Sequence, residues 1–167
     1  MQVASSHPAR PRRQENKAMS DLETVLRRAE LFEGLTPEEF EKISALCREQ
    51  RCLAGETITR QGAGGDSLYV VCDGFVEVSL SGPEPDMSPR TVVHLGRGQI
   101  FGEMALVDQG PRSATVRSIT DHTVVQAIDR QAFMRLCEED HHLGYVVMRN
   151  MAADLSFKLR HRNLTGR

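Results

Sequence analysis

Apolar positions divide this chain into three stretches, helical, β-like and helical again. Phe40, Ile43, Leu46 and Cys47 recur at helical spacing and predict a helix entered at Thr36-Pro37-Glu38-Glu39. There Thr36 can cap, Pro37 suits the first helical position, and the acids favour the helix N-terminus. Ser20 and Glu23 have capping-box spacing and predict an earlier short helix reaching about Ala29. From Cys52 to Ile128 the pattern changes, and short β-branched and apolar runs alternate with glycines. Thr57-Ile58-Thr59, Leu68-Tyr69-Val70-Val71, Phe75-Val76-Glu77-Val78, Thr91-Val92-Val93, Ala114-Thr115-Val116 and Thr123-Val124-Val125 read as short strands. Asp73-Gly74 reads as a hairpin turn and the Pro/Gly-rich stretch 81–90 as a longer exposed hairpin loop.

After Asp129, a plausible cap, the helical period returns. Phe133, Leu136 and Cys137 mark one short helix, and a longer one is expected from about Leu143 to Asn163. Leu143, Val147, Met151, Leu155 and Leu159 form one stripe on it; Val146, Ala153, Phe157 and Leu164 form a second. A surface helix needs one apolar face, so the second stripe points to another contact. The expected architecture is mainly β with flanking helices: an antiparallel roll of the jelly-roll kind, closed so that strand edges are not left bare. Helices occupy about 20–50, the roll about 52–128 and the C-terminal helices about 129–163. Residues 1–19, with Pro8, Pro11, Arg10, Arg12, Arg13 and Lys17, form a basic polar tail expected to be disordered.

Composition narrows the function classes. The chain has 167 residues, 40% of them hydrophobic, enough for one domain with a core. Its formal net charge of −2 gives no overall pull on nucleic acid or anionic lipid. No apolar run approaches the about 18 residues of a membrane span, and no secretory signal is visible. Cys47, Cys52, Cys72 and Cys137 form no C-x-x-C pair and are expected to be reduced thiols of a cytoplasmic protein. His141 and His142 are sequence neighbours that face different ways on a helix, and His94 and His122 are single residues on separate strands. No metal site and no nucleophile elbow follow, so no enzyme is expected.

The chemistry concentrates in Phe101-Gly102-Glu103-Met104-Ala105-Leu106 and Pro111-Arg112-Ser113-Ala114-Thr115-Val116. Gly102 permits an unusual backbone angle or a close approach. Glu103 to Leu106 can form one helical turn whose first N–H groups suit an anion. Arg112, at the entry to a β-run, can point along the inner face of the roll, where a phosphate would take parallel N–H bonds from its guanidinium. Glu103 can accept from a sugar hydroxyl. A plain internal Arg112–Glu103 ion pair is the competing reading, disfavoured by the cost of burying it.

The run FGEMALVDQGPRSATV resembles the phosphate-binding cassette of cyclic-nucleotide-binding domains, the family found in the catabolite activator protein, protein kinase A regulatory subunits and cyclic-nucleotide-gated channels. Gly55-Glu56, Gly62, Gly65-Asp66-Ser67-Leu68-Tyr69, Asp73-Gly74 and Gly98 match that family's turn glycines, so the resemblance covers about residues 22–163. It implies a ligand, cAMP in preference to cGMP, and no prosthetic group. It implies that Arg112 pairs with the cyclic phosphate, with Ser113, Ala105 and Met104 beside it, and that Glu103 and Gly102 take the ribose. Leu155 and Phe157 are candidates to cap the base, although plain packing suits them as well, and Tyr69 and Phe75 read as core. A homodimer through the last helix is an open expectation. Only about four residues follow Asn163, so direct DNA binding is not expected from this chain. A ligand-independent interaction module, or a fragment of a larger regulated protein, is the alternative.

Overall fold

A strand that reads as a continuous apolar run must be covered on both faces, and Leu68-Tyr69-Val70-Val71 sets the layering of this molecule. In the computed structural model, which describes residues 21–82, 84 and 87–165 and side chains as far as His161, that run lies in the middle of a three-layer arrangement. Leu68 and Val70 point to a layer of helices, while Tyr69 and Val71 point into the roll. The predicted cap at Ser20, the tail 1–19, part of the 81–90 loop and the Leu164 side chain lie outside the described residues.

Eight strands build the roll: β1 Cys47–Cys52, β2 Thr57–Thr59, β3 Ser67–Asp73, β4 Val76–Leu80, β5 Arg90–Leu95, β6 Ile100–Phe101, β7 Thr115–Ser118 and β8 Thr123–Asp129. They form two antiparallel four-stranded sheets, ordered β1-β8-β3-β6 and β2-β7-β4-β5. Val71, Phe101 and Val125 of the first sheet close on Val76 and Val116 of the second. The mainly β roll with flanking helices is the architecture the sequence predicts.

Two details differ from the sequence reading. Asp73-Gly74 is not a hairpin turn, because β3 and β4 belong to different sheets. It is a corner between the sheets, built on hydroxyls: the Ser118 Oγ donates to Thr123 Oγ1 at 2.7 Å, and the Phe75 N–H donates to Thr120 Oγ1 at 3.1 Å. The connection through 81–90 is a true hairpin link, with Leu80 opposite Arg90. The roll also begins at Cys47, not Cys52. Cys47-Arg48-Glu49-Gln50-Arg51-Cys52 pairs along its whole length with β8 at the sheet edge. An edge strand with exposed Arg48, Glu49, Gln50 and Arg51 carries no alternation to separate it from the end of a helix.

The helices are α1 (residues 21–26), α2 Pro37–Leu46, α3 Arg130–Glu139 and α4 His141–Thr165. Thr36 and Glu39 form a full capping box at the start of α2, with Pro37 in the first turn. Asp129 caps α3 by accepting from the Ala132 N–H. Leu26, Phe32, Ile43, Phe133, Leu143 and Val147 bury completely against Leu68, Val70 and Ile128. At about 1.5–3 kcal/mol for each large side chain removed from water, this cluster is the main anchor of the helices on the roll. Asp140 ties the layer further: it accepts from the Leu143 N–H at 3.2 Å and from Lys42 Nζ at 2.6 Å. His142 Nδ1 lies 2.6 Å from Glu39 Oε1, whose side chain is otherwise enclosed. The first part of the predicted α4 stripe is buried as far as Met151; beyond it Phe157 and Leu159 stand exposed.

Candidate functional site

The cassette begins where β6 ends. Gly102 has φ +76°, a left-handed conformation that any side chain would strain, and it turns the chain into a 3-10 turn, Glu103–Leu106. Ala105 and Leu106 face inward and are buried, while Met104 is exposed. The turn therefore rests on the core, and Gly102–Ala105 border a small cavity of about 160 Å³. Its lining includes Glu103, Asp108, Gly110, Arg112 and Ser113.

Arg112 is held from both its backbone and its side chain. Its N–H donates to the Ala63 carbonyl and its carbonyl accepts from the Gly62 N–H, both at 2.8 Å, so the cassette is pinned to the 61–67 loop. Its Nη2 donates to the Ser67 carbonyl at 2.8 Å and its Nη1 to the Gly102 carbonyl at 3.4 Å. The guanidinium carbon sits 5.8 Å from the Tyr69 ring centre, and Tyr69 is itself stacked on Phe101 at 4.9 Å. A Cβ on Gly65 would collide with the same guanidinium, so a glycine there gives the side chain its room.

These contacts satisfy two of the guanidinium's five donors with neutral carbonyl oxygens. Among the described residues no carboxylate neutralises it: Glu103 pairs not with Arg112 but with Lys158 of α4, Oε1 to Nζ at 3.4 Å. The competing reading of an Arg112–Glu103 ion pair is thus overturned by the geometry. A half-buried cation with free donors, close to an aromatic ring and beside the Gly102–Ala105 turn, suits an anion with several oxygens.

Arg112 also borders a second cleft of about 330 Å³, lined by Thr57, Ile58, Thr59, Arg60, Ala63–Asp66 and Tyr69. The guanidinium thus stands between two spaces, one formed within the cassette, the other walled by β2, the 63–66 loop and Tyr69. A volume near 300 Å³ is at the lower end for a small-molecule site. The sequence reading brings together Gly102, Glu103, Met104, Ala105, Arg112 and Ser113, all of which line the first space. It does not foresee Thr57, Ile58, Arg60 or the 63–66 loop, whose relation to Arg112 arises only when β2 and β7 pair. Tyr69, read as core, forms part of the wall as well.

Leu155 and Phe157 stand elsewhere. Leu155 packs against the helical core, and Phe157 is 60% exposed with its ring on His161 at 3.9 Å; neither lines either cleft. Helical rotation separates them from the site, and Lys158 is the α4 residue that reaches it. Burial alone would lower the Lys158 pKa. Its 2.7 Å pairing with Asp154 and the nearby Glu103 charge outweigh that and raise it.

Other chemistry finds no comparable arrangement. Among the described residues no group of three His, Cys, Asp or Glu side chains converges as a metal site, and no helix is long and apolar enough to cross a membrane. His94 lies on β5, but His122 is in the bend before β8, not on a strand. The four cysteines are unpaired. Burial pushes the Cys47 thiol up to about 12 and those of Cys72 and Cys137 up to about 11.

Comparison with known proteins gives the same picture. The family described as the cyclic nucleotide-binding domain matches residues 49–140. The cyclic AMP receptor protein of Thermus thermophilus is 35% identical over 137 residues, 80% of this chain and 59% of that protein. The cAMP-dependent protein kinase regulatory subunit of Colletotrichum orbiculare is 33% identical over 114 residues, 68% of this chain and 28% of the relative. The chain thus spans about three fifths or less of the length of these curated relatives. Among solved structures, the Thermus thermophilus catabolite activator protein superposes with a TM-score of 0.72 at 33% identity, covering 82% of this chain and 61% of that one. The regulatory domain of Toxoplasma gondii PKA, crystallised with cAMP, gives 0.66 at 28% identity, covering 77% and 46%. With the family's match extending from β1 to the end of α3, across both sheets and the whole cassette, this chain belongs to the cyclic nucleotide-binding domain family.

Proposed function

We propose that this chain is a regulatory module that binds a 3′,5′-cyclic nucleotide, cAMP in preference to cGMP, and carries out no chemistry on it. The observation that carries this reading is Arg112: a guanidinium fixed by two carbonyl oxygens and lacking a carboxylate partner among the described residues. A singly charged cyclic phosphate supplies the missing charge and takes the unused donors. Backbone N–H groups of the turn after Gly102 add neutral donors. Ser113 stands at the same cavity. Glu103 accepts from the ribose hydroxyl, and the base lies in the second cleft against Ile58 and Tyr69. The preference for cAMP rests on the relatives, whose names cite cAMP. Ser113, with a hydroxyl able to meet a guanine amino group, is the feature that would favour cGMP instead.

Binding reaches α4 because the cassette touches it. The cassette turn borders α3, and Glu103 meets Lys158, so a ligand that settles the turn shifts α4 between a loosely held and a docked population. Calorimetric titration of nucleotide-stripped protein with cAMP and with cGMP tests the assignment, with Arg112→Ala as the control. Tight binding of cAMP, weaker binding of cGMP and a loss of about ten- to hundredfold or more in the variant are expected, since hydrogen bonds to a charged group contribute about 1.5–3 kcal/mol each. Equal affinity in the variant, or silence of stripped wild-type protein towards both nucleotides, would remove the proposal.

A further inference from the structure

Glu103 is the residue proposed to read the ribose, yet it belongs to a short turn with only four residues of its own. A carboxylate on such a turn needs a second hold if it is to discriminate between sugars. Its Oε1 has that hold in Lys158, which reaches across from α4, 55 residues further along the chain. The Glu103 side chain is 19% exposed and that of Lys158 55%, so the carboxylate is sheltered and the ammonium lies at its outer edge. Lys158 also touches Asp154, one helical turn earlier, at 2.7 Å. Asp154 thus braces the lysine from behind, and the lysine braces Glu103 in front. Among the described residues no group donates to the second carboxylate oxygen of Glu103, which is left to accept a hydroxyl.

From this chain of contacts we infer that Lys158 is a positioning residue for sugar recognition: it fixes the Glu103 carboxylate for a ribose 2′-hydroxyl and makes that recognition depend on α4. The inference rests on the proposed cyclic-nucleotide reading and goes beyond it. It says that discrimination between ribose and deoxyribose is partly encoded in the last helix, outside the cassette. As a lysine, Lys158 is charged across the physiological range, as the role requires, and its pairing with Asp154 and Glu103 raises its pKa further.

The test compares binding of cAMP and 2′-deoxy-cAMP to the full chain in wild type, Lys158→Met, Lys158→Arg and Glu103→Gln. The readout is the ratio of the two dissociation constants, which a general loss of stability would leave unchanged. Wild type is expected to favour cAMP. Lys158→Met should reduce that preference by about two- to fivefold, the range a half-exposed ion pair can give. Lys158→Arg should restore most of it, because the charge and reach are kept. Glu103→Gln should remove the preference, and adding Lys158→Met to it should change the ratio no further. If wild-type protein binds cAMP and Lys158→Met keeps the wild-type ratio, the inference is overturned while the cyclic-nucleotide reading stands. If stripped wild-type protein binds neither nucleotide, the underlying reading fails and the inference falls with it.

Discussion

Replacing Gly102 with alanine separates two effects that are usually entangled in a glycine mutation. The first is the backbone: Gly102 has φ +76°, and an L-residue in the left-handed region costs about 1–2 kcal/mol. The second is space. An added Cβ would lie 2.7 Å from Arg112 Nη1 and 3.0 Å from the Ser67 carbonyl oxygen. That carbonyl is the same one that accepts from Arg112 Nη2, and as backbone within β3 it cannot retreat easily. The guanidinium is the freer of the two and should be displaced. Gly55→Ala is the matched control. Gly55 has φ +87° with nothing within 4 Å of the added carbon, so it carries the backbone cost alone. In urea unfolding both variants should lose about 1–2 kcal/mol, with Gly102→Ala losing somewhat more. In nucleotide titration they should diverge. Gly55→Ala should bind as wild type does. Gly102→Ala should lose about ten- to hundredfold, the worth of one charge-assisted hydrogen bond from Arg112. If Gly102→Ala is destabilised as expected yet binds cAMP with wild-type affinity, Arg112 is not the phosphate ligand, or it does not need the place given it here.

Two further outcomes concern the frame around the site. The hydrogen bond from Lys42 holds the Asp140 carboxyl below its usual range, and the same contact raises Lys42. A lowered carboxyl pKa contributes stability that is present above the unfolded value and lost as pH falls through the folded one; the raised lysine loses its part only as pH rises through its folded value. The stability gap between wild type and Asp140→Asn should therefore be flat from about pH 9 to pH 5 and narrow below about pH 4, and a gap that widens with acid would contradict the pairing. Because burial pushes the Cys47 thiol up to about 12, little of it is thiolate at pH 8, and iodoacetamide should label it far more slowly in native than in urea-unfolded protein. Mass spectrometry of the peptides would report this, and equal rates in the two states would rule it out.

What the sequence made legible follows from how local each signal is. The α2 capping box is written in four consecutive residues, and the cassette in sixteen, so both could be read directly. Asp73-Gly74 has the composition of a hairpin, but whether the strands on either side pair with one another depends on Ser118, Thr120 and Thr123, nearly fifty residues away. The edge strand Cys47–Cys52 hides its type because its exposed positions carry charge on both faces. The α4 stripe was visible, yet the residue of α4 that reaches the cassette is Lys158. A lysine among apolar neighbours reads as solvated surface until Glu103 is seen opposite it. Hydrophobicity singles out Leu155 and Phe157, but it says little about which side of a helix meets a ligand.

The anchoring of Arg112 on the Ser67 and Gly102 carbonyls has a kinetic consequence. A free arginine side chain carries about 2 kcal/mol of rotamer entropy, which a binding event would normally have to remove. Here that ordering has been completed during folding, before any anion arrives. On the proposed reading, an incoming cyclic phosphate meets a guanidinium whose ordering is already complete. Association should be limited by encounter and by entry into the cleft, and differences in affinity among related ligands should appear chiefly as differences in how long each one stays.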